Sequence, residues 1–125
     1  MPPVAEGKLD AEISAILLPD PSIYSRKFSE RPEVEGGLLV VRNAGEEDWT
    51  HINIWVNGNY QIYDLDPIQA GKSREYKLDR FVTRSGATYD LRYNQLKKAL
   101  IYARMPKGNR ATREADLTPY SGRTQ

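Results

Sequence analysis

A chain of 125 residues is long enough for one domain and too short for two independent cores. Its 39% apolar fraction draws partly on eight Tyr, and 18 basic against 17 acidic residues leave a formal charge of +1, so a strong polyanion-seeking bias is excluded as the default. The chain has no cysteine and one histidine, and no apolar run approaches the roughly 18 residues of a spanning helix; disulfides, thiolate metal sites, a Cys nucleophile and a His-rich metal centre all drop out.

Residues 1–8 lack the cationic start and apolar stretch of a secretory signal. A cytoplasmic protein, or part of a macromolecular assembly, is the simple reading; a mature exported domain would look the same. Residues 8–18 alternate, with Leu9, Ala11, Ile13, Ala15 and Leu17 against Asp10, Glu12 and Ser14, and predict a strand ended by Pro19 and Pro21. A helix is the competing reading, because Ala, Glu, Ile and Leu all tolerate one. Residues 22–35 are polar and read as a connection. Gly36 and Gly37 open an apolar run at 38–42 suited to a strand buried on both faces, and Asn43-Ala-Gly45 closes it as a turn.

Residues 49–56 form the clearest strand: Thr50, Ile52, Ile54 and Val56 share one face, and Trp49, His51, Asn53 and Trp55 the other. Asn57-Gly58 follows at once and predicts a type I′ hairpin, whose two central residues both need positive φ. The return strand is 60–65. After an Ala70-Gly71 turn, residues 74–78 alternate again, with Arg74, Tyr76 and Leu78 on one face. Residues 87–93 predict a strand with Tyr89, Leu91 and Tyr93 inward, and 100–104 predict the last strand. Seven or so short strands with frequent turns mean an all-β antiparallel sandwich or barrel, with Leu38, Val40, Ile52, Ile54, Leu78 and Leu91 as the expected core.

Charge divides the chain: residues 1–48 carry net −5, 49–103 net +3 and 104–125 net +3. The resulting organisation is an N-terminal segment (1–35) with a first strand, a β-sandwich core (36–105) and a polar, basic C-terminal tail (106–125). The tail holds too few apolar groups to offset its ordering entropy alone. It is expected to contribute little to the fold and to dock on a partner.

The stretches Leu-Leu-Val-Val-Arg-Asn-Ala-Gly at 38–45, Ile-Asn-Ile-Trp-Val-Asn-Gly at 52–58 and Ile-Gln-Ala-Gly-Lys-Ser at 68–73 resemble bacterial immunoglobulin-like domains of the adhesion-related, fibronectin-III-like type. The resemblance spans residues 38–81 and rests on turns and strands. It implies an immunoglobulin-like antiparallel β-sandwich of about seven strands with extended terminal segments, serving adhesion, spacing or docking without catalysis.

Chemistry is sparse. A nucleophilic triad needs a base, and His51 sits mid-strand among aromatic and amide neighbours, with no Gly-x-Ser-x-Gly elbow anywhere. Asp64 and Asp66 read as a solvated strand end rather than a sugar-cleaving pair, and residues 46–48 (Glu, Glu, Asp) as an acidic turn rather than a calcium loop. The sparse arginines of the tail make nucleic acid a poor fit, since Glu114 and Asp116 interrupt them. No cofactor, metal or enzyme activity is expected.

The function expected is a protein–protein interaction or structural subunit. It would dock, on a protein partner or a second copy, through Trp49, His51, Asn53 and Trp55 on the strand face and Arg110, Arg113, Leu117 and Tyr120 in the tail. The alternative is a carbohydrate-binding module stacking sugars on Trp49 and Trp55, with Asn53, Asn57 and His51 as hydrogen-bonding groups. Whether the Trp49/Trp55 face is open or is the core turns on the phase of one strand.

Overall fold

The computed structural model describes residues 5–16, 37–90 and 94–121. Among them are eight strands: β1 (Ala5–Lys8), β2 (Ala11–Ile16), β3 (Leu38–Asn43), β4 (Thr50–Val56), β5 (Tyr60–Asp64), β6 (Ser73–Lys77), β7 (Lys98–Arg104) and β8 (Arg110–Asp116). They form a five-stranded sheet, β1-β8-β7-β4-β5, and a three-stranded sheet, β2-β3-β6. All pairings are antiparallel except β1 with β8. The all-β expectation holds. No helix among the described residues is long and apolar enough to cross a membrane.

The strand expected at 8–18 is β2 over its described part, and a further strand, β1, precedes it. After β1 the chain turns at Leu9 and Asp10 into the other sheet, where β2 pairs β3. Leu9 donates its N–H to the Thr112 carbonyl (2.7 Å), and the Asp10 carbonyl accepts from Ala44 N–H (2.9 Å), so the crossing residues are tied to both sheets. Leu9 and Ala11 are buried, and Ile13 and Ala15 pack against the core, as the alternation requires.

β3 is not buried on both faces. Leu39, Val41 and Asn43 are buried, whereas Leu38 and Val40 are half-buried, the reverse of the phase expected for the core. A run of four apolar residues carries no alternation, so only the pairing with β2 and β6 decides which side faces inward. Ile52, Ile54, Val56 and Leu78 are core residues as expected. Leu91 and Tyr93 lie outside the described residues.

The predicted strand at 87–93 is not one over its described part. Thr88 makes a single bridge to Val82, and Tyr89 is buried by an irregular backbone whose N–H reaches the Phe81 carbonyl (2.8 Å). Its ring meets Tyr60 edge-on at 5.1 Å, and its hydroxyl donates to the Asn94 carbonyl at 2.7 Å. Val82 also bridges Gln61, which covers part of the outer edge of β5.

The largest departure is the C-terminal segment. β7 is not the last strand: residues 110–116 form β8, bonded between β7 and β1, and a one-turn helix, α1 (Thr118–Ser121), lies against β2. Ala111 and Leu117 are buried, and Leu117 N–H donates to the Lys97 carbonyl (2.8 Å). A strand needs apolar groups on one face only, so the small side chains of Ala111 and Ala115 suffice where Arg110, Thr112 and Glu114 face outward.

Buried Asn43 is fully bonded: its amide donates to the Glu47 (2.8 Å) and Ile68 (2.9 Å) carbonyls, and its Oδ1 accepts from Gly45 N–H (3.0 Å). The turn read from sequence thus also ties the β3–β4 connection to the β5–β6 connection.

Candidate binding face

The outward side of the five-stranded sheet is the candidate site. Strand register sets its pattern. Asn53 of β4 lies opposite Tyr63 of β5 and Tyr102 of β7, and Trp55 lies opposite Gln61 and Leu100. On β8, Thr112 lies opposite Tyr102, Glu114 opposite Leu100, and Arg110 opposite Arg104. Ala99, Ile101 and Ala103 of β7 are buried, which leaves Leu100 and Tyr102 on the open side. Asn53, Trp55, Tyr63, Leu100 and Tyr102 border a concavity of about 550 Å³ that His51, Lys98, Arg104, Arg110 and Glu114 also line.

The two tryptophans part company. Trp49 is buried to 1% exposure and paired through its backbone with Ile68 (3.0 and 3.1 Å), so it belongs to the core. Trp55 is half-buried and borders the concavity. The cause is a β-bulge. Between Thr50 and Asn53 the β4–β7 register slips by one, three steps on β4 matching two on β7, and His51 sits in the left-handed region at φ 49°. The extra residue inverts the alternation before it. His51 is exposed at the bulge, and Asn53 is half-buried and accepts from Gln61 Nε2 at 3.1 Å.

The C-terminal residues of the expected site separate likewise. Arg110 stands on the open face. Arg113 falls on the opposite side of β8, in register with core Ile101, and donates to the Leu9 carbonyl at 3.3 Å. Leu117 is fully buried. Leu117 is corrected from a docking group to part of the fold, whereas Arg113 keeps an exposed side chain on a paired strand rather than on a free arm. Tyr120 falls in α1, and its side chain lies outside what the structure describes. Tyr63, Leu100, Tyr102 and Arg104 were missed; the alternation of Lys98, Leu100, Tyr102 and Arg104 against Ala99, Ile101 and Ala103 was the signal that could have found them.

Asn57 proves structural as well as turn-forming. Its amide donates to the Gln95 carbonyl (2.8 Å), and its Oδ1 accepts from the N–H groups of Lys97 (2.8 Å) and Lys98 (3.2 Å). It thereby fixes where β7 starts.

Asp64 is not a solvated strand end. Its carboxylate accepts from Tyr76 Oη (2.6 Å) and Arg74 Nη1 (2.8 Å), linking β5 to β6 across the two sheets. Burial alone would raise this carboxyl, but the hydrogen bonds from Tyr76, the Asp66 N–H and Arg74 outweigh it and hold it below the usual range. Burial first, and then the hydrogen bond to Asp64 and its charge, push the Tyr76 phenol up. In the acidic turn, Asp48 accepts from Ala70 N–H (3.0 Å), and among the described residues no group of three or more His, Asp or Glu is arranged to hold a metal ion.

No protein-family model, curated protein or solved structure matches this chain.

Proposed function

We propose that the chain is an immunoglobulin-like domain that acts without catalysis as an interaction subunit, docking a protein partner on the open face of β4, β7 and β8. The strand order supports the immunoglobulin-like reading. β3 and β6 correspond to the B and E strands of one sheet, and β4, β7 and β8 to the C, F and G strands of the other. Trp49, buried just before the C-equivalent strand, takes a place near that of the core Trp of such domains, here without a disulfide.

The single observation behind the docking role is the open strip of Trp55, Leu100 and Tyr102 flanked by charged groups. Apolar rings at the centre with a polar rim is the anatomy of a protein interface, and Trp and Tyr carry much of the energy in such patches. Docking through residues 107–125 is not part of this proposal, since β8 is spent on the fold.

The test compares capture by the wild-type chain with capture by the Trp55→Ala/Tyr102→Ala variant, each immobilised and exposed to lysate from its source, with native mass spectrometry of what is retained. A stoichiometric partner retained by wild type and lost by the variant is expected; equal retention by both overturns the role of the face.

A second reading, sugar binding, draws on the rings beside the Asn53 and Gln61 amides. The burial of Trp49 removes half of the stacking platform that reading expected. A soluble-polysaccharide gel shift separates the two.

A further inference from the structure

We infer that the segment taken up by this face is an acidic linear peptide, one carrying Asp or Glu beside an apolar or aromatic side chain. The inference rests on the face being a protein-docking surface and adds the chemistry of the partner.

Arg104 and Arg110 stand directly opposite each other on β7 and β8. Like charges in that position oppose strand pairing. Among the described residues neither has a carboxylate partner: the ion pairs there are Arg42 with Glu12 and Arg74 with Asp64. Two arginines in register on one side of a concavity offer guanidinium groups to a carboxylate, which each can bind in bidentate fashion. Lys98 stands at the other end of the same strand, and Glu114 is the one carboxylate among the described residues that border the concavity. Between the cationic ends lie Leu100, Trp55 and Tyr102. Six residue steps along β7 span about 20 Å, the reach of a short extended peptide.

Size favours a linear occupant. A concavity of about 550 Å³ falls in the range that receives ligands and short segments. The mode of recognition follows from the topology. β4, β7 and β8 each have neighbours on both sides, so none of them offers a free edge for strand addition. Side chains must do the recognising. A peptide is favoured over a glycan because Asn53 and Gln61 already spend part of their hydrogen-bonding capacity on each other, which leaves rings and cations as the main offering.

The test uses the whole chain and three fluorescein-labelled probes: a random Glu–Tyr copolymer, a random Lys–Tyr copolymer and polygalacturonate, read by fluorescence anisotropy. The Glu–Tyr copolymer is expected to bind and to weaken at least about tenfold in Arg104→Gln/Arg110→Gln, and binding should also fall with added salt. The melting temperature of the double variant serves as its folding control, and Lys98→Gln gives a second, milder loss should the double variant not fold. Equal or tighter binding of the Lys–Tyr copolymer, abolished by Trp55→Ala, overturns the acidic partner and leaves the face intact. Binding that ignores Trp55→Ala overturns the face itself. Polygalacturonate binding without Glu–Tyr binding replaces the peptide with an acidic glycan, and no binding of any probe overturns the inference.

Discussion

Trp49 and Trp55 are six residues apart, a spacing that would put them on the same side of an unbroken strand, yet they occupy opposite sides of the sheet because His51 is inserted as a bulge between them. The core therefore gains a large ring while the outer face keeps one beside the concavity. One extra residue, held at positive φ, divides the two roles.

The pair should respond unequally to truncation. Trp49→Ala removes a ring with 1% exposure and is expected to cost about 3–5 kcal/mol. Trp55→Ala should cost well under half of that while altering binding. Chemical denaturation of the two variants checks this; equal losses would mean that the bulge does not separate them.

The β4–β5 hairpin carries Asn57 at φ 55° and Gly58 at φ 85°, as the sequence predicts. A Cβ at Gly58 would meet nothing within 4 Å, so Gly58→Val tests backbone strain alone and is expected to destabilise by about 1 kcal/mol or more. Asn57→Ala should cost more than that, because it also strips the amide and carbonyl contacts that fix residues 95–98. Thermal melts of both variants give the ranking, and an unchanged Tm for Gly58→Val would contradict the turn.

Asp64 makes stability acid-sensitive. A carboxyl held low in the folded state contributes stability that is present above its unfolded value of about 4 and is lost as pH falls through its folded value. Asp64→Asn is expected to lower stability by about 1–2 kcal/mol at neutral pH and to flatten the decline in Tm below about pH 4. Parallel pH profiles for wild type and variant would remove Asp64 as the cause.

Because β8 is bonded between β7 and β1, deleting residues 107–125 should unfold the chain rather than leave its Tm unchanged. A milder probe is Leu117→Ala, which empties a fully buried site and is expected to cost about 2–5 kcal/mol. Circular dichroism of the truncated chain and a denaturant midpoint for the point variant are the measurements. A folded truncated chain would show that the two sheets close without β8.

By itself the sequence determined what is local. Strict alternation placed Ile52, Ile54 and Val56 inward, Asn-Gly supplied a turn that tolerates positive φ, and the apolar and polar periods required an all-β chain. What only the tertiary structure decided is which face each strand turns inward and which strands find neighbours. Residues 38–41 have no alternation to read. The alternation around Trp49 is inverted by a residue whose insertion shows only against β7, and residues 110–116 look like a tail until β7 pairs with them and Ala111 meets the core. Propensity acts within a few residues, whereas register and burial are settled by contacts between segments tens of residues apart. A shift of one position exchanges the two faces of a strand. The convergence of Trp55, Tyr102, Arg104 and Arg110 is of that second kind, since it exists only because β4, β7 and β8 lie side by side in this register.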